Sequence, residues 1–164
     1  MMLRKQITPQ QALVRLETAC AKTEYAVFEI ATKLKNWGIG SNDAEKILNS
    51  LIDRKFLDNQ RFAAAYVRDK YRFCKWGRRK ICVGLYQKHI SQDIINEALA
   101  TIDEEEYFEI LVAFLSSKTR TIKSDSPAEF RTKLFRAALS RGYETSLAAK
   151  AVKIVCSAYN SGSA

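Results

Sequence analysis

Residues 56–90 read FLDNQRFAAAYVRDKYRFCKWGRRKICVGLYQKHI, and the fold class follows from how this stretch divides. Asp58 is a good helix N-cap, and Phe62, Ala65, Tyr66 and Phe73 recur at helical spacing, which predicts a helix with one buried face. Gly77 opens a second helix that carries Ile81 and Leu85 inward. Between Arg68 and Lys80 stand seven Lys or Arg against one acid, Asp69, a local charge of +6 interleaved with Tyr71, Phe73 and Trp76. Such a segment suits a polyanion.

The placement of these charges matters because a helix is electropositive at its N-terminus and electronegative at its C-terminus. Arg68, Lys70 and Arg72 close the first helix, the favourable end, so stabilisation of the fold accounts for them. Arg78, Arg79 and Lys80 occupy the first turn of the next helix, where each cation is unfavourable by roughly 0.3–1 kcal/mol at a surface. The expectation is therefore an anion site, in which free backbone N–H groups, the dipole and three cations meet a phosphate. The alternative is an ordinary solvated basic face. Lys75 and Trp76 lie between the two groups, and Trp76 suits stacking on a base as well as covering a helix junction. A second basic cluster, Arg131, Lys133 and Arg136, completes the candidate binding set.

Toward the N-terminus, residues 1–7 read as a loose basic arm. Thr8-Pro9-Gln10-Gln11 is a helix start, with Thr8 as cap, Pro9 at the first position and Gln11 completing a capping box. Thr23 suits the cap of a second helix, whose stripe Val27, Ile30, Leu34 and Trp37 ends at Gly38. Ser41 or Asn42 begins a third with Ala44, Ile47, Leu48, Leu51 and Ile52. These stripes read as core.

Beyond the central pair, Ser91 caps a helix bearing Ile94, Ile95, Ala98, Leu99 and Ile102. The run Asp103-Glu104-Glu105-Glu106 resembles a metal site only superficially, since carboxylates at a helix N-terminus are favourable as they stand. A helix with Tyr107, Ile110, Leu111, Phe114 and Leu115 follows, then a loop from Ser116 to Ser126. Ser126-Pro127-Ala128-Glu129 combines N-cap, first-position proline and capping-box Glu. The last two helices carry Phe130 and Leu134, then Leu147, Ala148, Ala151, Val152 and Val155, with Asn160 to Ala164 as a disordered tail.

An internal repeat underlies this order. Leu34 to Ile39 aligns with Leu85 to Ile90, and more loosely with Ala138 to Tyr143. Gly38, His89 and Gly142 then fall at equivalent helix ends, where a left-handed residue is wanted, and turn geometry explains the single histidine. The result is an all-α chain of about nine helices: a tandem array of three three-helix units spanning 8–55, 56–102 and 103–159, expected to be elongated and curved.

Composition narrows the function classes. A net charge of +9 suits an anionic partner, and 47% apolar content is enough for a buried core. Cys20, Cys74, Cys82 and Cys156 form no Cys-x-x-Cys pair, which argues against zinc and for small buried hydrophobes in a reducing compartment. The N-terminal MMLRKQITPQ has no apolar leader-like core, so a cytoplasmic, membrane-free monomer is expected. No P-loop, Gly-rich phosphate fingerprint, nucleophile elbow or His-Glu-x-x-His occurs, so neither an enzyme nor a cofactor is expected.

Leu57-Asp58-Asn59-Gln60-Arg61-Phe62, followed by Gly77-Arg78-Arg79-Lys80-Ile81, Leu85 and Ile90, resembles the RecX family of regulators of the RecA recombinase. The likeness extends more weakly over about residues 10 to 155. Lys55 and Phe56 stand where the family often has Gly and an aromatic, and His89 where it has Gly. The resemblance implies a negative regulator of recombination and repair that binds the RecA filament on single-stranded DNA and limits its extension, ATPase and strand exchange. Two other classes remain: a stand-alone basic DNA-binding protein using a helix-turn-helix from Arg78 to Leu99, and a metal-dependent nuclease using Asp103 to Glu106.

Overall fold

The computed structural model describes residues 6–162. Among them are nine helices and no strand: α1 (Pro9–Lys22), α2 (Val27–Asn36), α3 (Ser41–Asp53), α4 (Asn59–Arg72), α5 (Arg78–Gln87), α6 (Gln92–Ala100), α7 (Glu104–Lys118), α8 (Pro127–Ser140) and α9 (Thr145–Gly162). They pack as two compact units, one holding the described residues through Ala65 with Leu85–Asn96, the other Tyr66–Gly84 with the described residues from Glu97 onward.

In the first unit, α1 and α2 pack on α3 around Leu16, Ile30, Leu34, Ile47, Leu51 and Leu57. The capping box at Thr8 forms, with reciprocal bonds to and from Gln11 at 3.2 and 3.1 Å. Ile7 packs against this core, so the arm expected over residues 1–7 does not extend to it; its first five residues lie outside the described ones. Thr23 does not start α2. Its N–H donates to the Ala19 carbonyl and ends α1, whereas α2 starts at Ala26, whose N–H donates to Glu29 at 2.9 Å. Ile52 turns outward and is exposed, because the inward stripe of α3 runs through Ile47 and Leu51 with Ala44 and Leu48 packed beside them.

The second unit is built on α7, α8 and α9, which pack against one another through Tyr107, Leu111, Leu115, Leu134, Ala138, Ala148, Ala151 and Val155. Fully burying a side chain such as Leu111 contributes about 1.5–3 kcal/mol relative to leaving it in water. Asp103 and Ser126 cap α7 and α8, accepting the N–H groups of Glu106 and Glu129 at 2.8 and 3.1 Å. The Glu129 carboxylate reaches back past the cap and accepts from the Asp125 N–H instead. α7 runs on to Lys118, so the loop expected from Ser116 is shorter. α9 likewise continues to Gly162, beyond the expected tail start at Asn160; Ser163 and Ala164 lie outside the described residues.

The helix ends repeat as the sequence alignment anticipates. Gly38, His89 and Gly142 have φ of +76°, +57° and +89°. In each case the next residue, Ile39, Ile90 or Tyr143, is buried and returns its N–H to the carbonyl five residues back, on Leu34, Leu85 or Ala138, at 3.0 to 3.3 Å. This is the Schellman closure, with its apolar contact across the turn. Lys55, at φ +63°, makes a further one: the Phe56 N–H returns to Leu51 at 2.8 Å. Lys55 is one of the positions at which the resembled family often has glycine.

Candidate functional site

The basic segment lies within the second unit. Its first part is the last turn of α4, and here the expected buried face needs correction. Val67 and Tyr71 are the buried residues, while Phe73 is 77% exposed, because the inward face advances by four residues from Ala63 and passes Phe73 by.

The connection from α4 to α5 is pinned by backbone groups. The Trp76 N–H donates to the Lys70 carbonyl at 3.1 Å, Lys75 takes φ +58°, and its ammonium donates to the Arg72 carbonyl. The start of α5 is then tied to the end of α8. The Gly77 N–H donates to the Arg141 carbonyl at 2.7 Å and the Arg79 N–H to the Gly142 carbonyl at 3.0 Å. The Arg78 N–H donates to the Tyr107 hydroxyl at 2.9 Å, and the Arg141 guanidinium donates back to the Cys74 carbonyl at 3.0 Å. The Gly77, Arg78 and Arg79 N–H groups, which helix polarity would offer to a phosphate, are thus taken by protein acceptors.

Arg78 is consumed by the same junction. Its guanidinium donates to Glu144 at 2.9 Å and to Glu104, lies 4.3 Å from the centroid of the Tyr107 ring, and leaves 20% of the side chain exposed. Burial would raise the Glu144 carboxyl, but hydrogen bonds from Arg78 and Tyr107 outweigh it and hold the group below its ordinary range. Burial and the Glu144 partner push the Tyr107 phenol well above its usual value. Folding therefore does explain Arg78, contrary to the expectation from helix polarity. The acids it needs lie far away in sequence.

Arg72 is also engaged, giving Glu106 two hydrogen bonds at 2.9 and 3.1 Å while the Tyr71 hydroxyl donates to the same carboxylate at 2.8 Å. Those bonds, from Arg72 first and Tyr71 next, lower the Glu106 carboxyl. Asp103, Glu104 and Glu106 are accordingly a cap and two ion-pair partners. Arg68 pairs loosely with Asp69, and Lys133 with Glu129.

Among the described residues, Lys70, Arg79, Lys80, Arg131 and Arg136 make no ion pair. Arg79, Arg131 and Arg136 are exposed. The ammonium groups of Lys70 and Lys80 lie 4.5 and 4.7 Å from the Trp76 ring centroid, and Tyr66 meets that ring edge-on at 6.5 Å. Trp76 is half-buried and joins the two helices, so the structure gives it the junction role. The cations of the expected set that neither a carboxylate nor a backbone carbonyl claims are thus Lys70, Arg79, Lys80, Arg131 and Arg136, with Lys70 and Lys80 half-buried against Trp76, and Phe73 joins them as an exposed aromatic. Phe73 is legible only once the buried face is phased on Val67 and Tyr71.

No group of three or more His, Cys, Asp or Glu side chains arranged to hold a metal occurs among the described residues, and no helix there is long and apolar enough to cross a membrane. The cysteines are free thiols. Cys20 alone is buried, the other three being half-buried rather than core residues as expected.

A family profile described as RecX, second three-helix domain, matches residues 58–99. The chain is similar to proteins named Regulatory protein RecX. That of Clostridium botulinum (strain Eklund 17B / Type B) is 29% identical over 145 residues, covering 85% of this chain and 68% of that protein. That of Clostridium tetani is 31% identical over 124 residues, covering 74% and 55%. That of Lactobacillus johnsonii is 28% identical over 122 residues, covering 74% and 45%. The chain thus spans between 45% and 68% of the length of these relatives. The crystal structure of RecX from Lactobacillus salivarius shares the fold at a TM-score of 0.78 and 19% identity, over 90% of this chain and 96% of that one. A second crystal structure, of regulatory protein RecX, does so at 0.71 and 23%, over 85% and 68%. The ordered motifs from Leu57 to Ile90, the matched second three-helix domain and these relatives agree: the chain belongs to the RecX family.

Proposed function

We propose that this chain is a negative regulator of recombination and DNA repair. It binds the filament that the RecA recombinase forms on single-stranded DNA and limits the filament's extension, ATP hydrolysis and strand exchange. The observation that carries this reading is membership of a family whose proteins are named regulatory. The cations that no carboxylate claims, Lys70, Arg79, Lys80, Arg131 and Arg136, supply the contact. They face phosphates or the acidic rim of a protein groove, and each phosphate neutralised releases counterions, so binding weakens steeply with salt. The three three-helix units serve as the framework, acting as a monomer in the cytoplasm. ATP turnover belongs to the recombinase, and no chemistry is asked of this chain.

The test is the rate of DNA-dependent ATP hydrolysis by the cognate recombinase, with this protein titrated in and naked-DNA binding measured in parallel. Inhibition well below one copy per filament subunit supports action on the filament. Inhibition that appears only as the protein saturates free DNA replaces this reading with a stand-alone DNA-binding protein.

A further inference from the structure

We infer that Phe73 is a base-stacking platform for single-stranded DNA, an inference that rests on the proposed reading of the chain as a ligand of a single-stranded DNA filament. Among the described residues Phe73 has the largest fractional exposure of the large hydrophobics, 77%, so folding gains little from it. It lies just past the last residue of α4 and its N–H donates to the Asp69 carbonyl at 2.9 Å, which continues the helical turn and fixes where the residue stands. That turn places Lys70, three residues earlier, on the same side. Arg72 precedes Phe73 directly with its guanidinium turned to Glu106, and Lys75 follows two residues on with its ammonium on the Arg72 carbonyl, so both keep their positive charge beside the ring while held in place.

The neighbouring aromatics are already occupied. Tyr71 is buried and bonded to Glu106, and Trp76 lies under the Lys70 and Lys80 ammonium groups. Phe73 makes no ring or cation–π contact among the described residues. Its backbone surroundings are held by the Trp76–Lys70 bond and by Arg141 on the Cys74 carbonyl, so the ring meets a ligand without first ordering the chain. An exposed, positioned aromatic amid cations suits unpaired nucleotides, whose bases offer a π-face and whose backbone offers phosphate. A duplex offers only phosphate here, because its base faces are stacked on one another. An apolar pocket with an acidic rim on a protein partner is the competing occupant.

The experiment compares the wild-type chain with Phe73→Ala and Phe73→Tyr on an oligodeoxythymidylate and on an abasic strand of the same length. Phe73→Ala is expected to bind the base-bearing strand about 5- to 150-fold more weakly, equivalent to roughly 1–3 kcal/mol. Its affinity for the abasic strand and its salt slope should be unchanged, and Phe73→Tyr should restore binding. Equal binding by Phe73→Ala and wild type, or equal loss on both strands, overturns the assignment. So does lost ATPase inhibition with intact single-strand binding, which places the ring in a protein pocket instead. Salt-dependent wild-type binding with a silent Phe73→Ala removes this assignment alone; absence of wild-type binding to either strand removes the proposed DNA ligand along with it.

Discussion

Gly77 and Gly142 touch backbone to backbone: a Cβ on Gly77 would lie 2.3 Å from the Gly142 carbonyl carbon. The reverse side is as close, since a Cβ on Gly142 would stand 2.5 Å from the Lys80 Cβ. Neither obstacle is a flexible side-chain tip, so the start of α5 or the end of α8 must shift. Gly77→Ala is expected to destabilise the protein by about 1–3 kcal/mol, the usual cost of overpacking. Gly142→Ala should cost at least as much, because its φ of +89° is also strained for alanine. Urea unfolding of both variants checks this, and near-wild-type midpoints would mean that the junction is loose.

The Arg78–Glu144 pair gives the second unit an acid dependence. Glu144 has its folded-state pKa below the ordinary value of 4.5, so its contribution is fully present above that value and is lost as pH falls through the lowered one. Glu144→Gln should lose about 1.5–3 kcal/mol near neutrality, the range for hydrogen bonds to a charged group. It should also show a shallower loss of stability below pH 4.5 than wild type. Parallel stability–pH curves for the two proteins would rule this linkage out.

Lys55→Gly should stabilise the first unit. The side chain is exposed and the backbone sits at φ +63°, where a non-glycine residue costs about 1–2 kcal/mol. The carbonyl that accepts from Arg61 survives the change. A rise in Tm of about 2–4 °C per kcal/mol is the expected readout for a chain of this size. His89→Gly is a weaker test, because removing the imidazole also removes its stack on Phe28 at 3.8 Å.

What the sequence discloses is local, and what it hides is distant. The helix ends at Gly38, His89 and Gly142 are legible because each turn is closed by residues within six positions of one another. The caps at Thr8 and Ser126 are legible for the same reason. Arg78 misleads because helix polarity alone makes it look surplus to folding, while its acids Glu104 and Glu144 stand 26 and 66 residues away. Phe73 and Thr23 mislead differently. One is a hydrophobic residue at plausible helical spacing and the other a residue suited to capping, but the phase of the buried face and the true helix start decide their roles. The basic segment is thus visible from charge alone, but its division into structural and outward cations is not.

That division is read out by inhibition of recombinase ATP hydrolysis by a Lys70→Glu, Arg79→Glu, Lys80→Glu chain, with Tm recorded alongside. None of these side chains forms an ion pair among the described residues, so the cost to the fold is confined to the Lys70 and Lys80 contacts on the Trp76 ring, about 0.5–1 kcal/mol each. The predicted result is a near-native Tm with inhibition lost and the salt dependence of binding reduced. Undiminished inhibition at unchanged salt dependence would place the binding surface elsewhere and leave these three cations without a role in it.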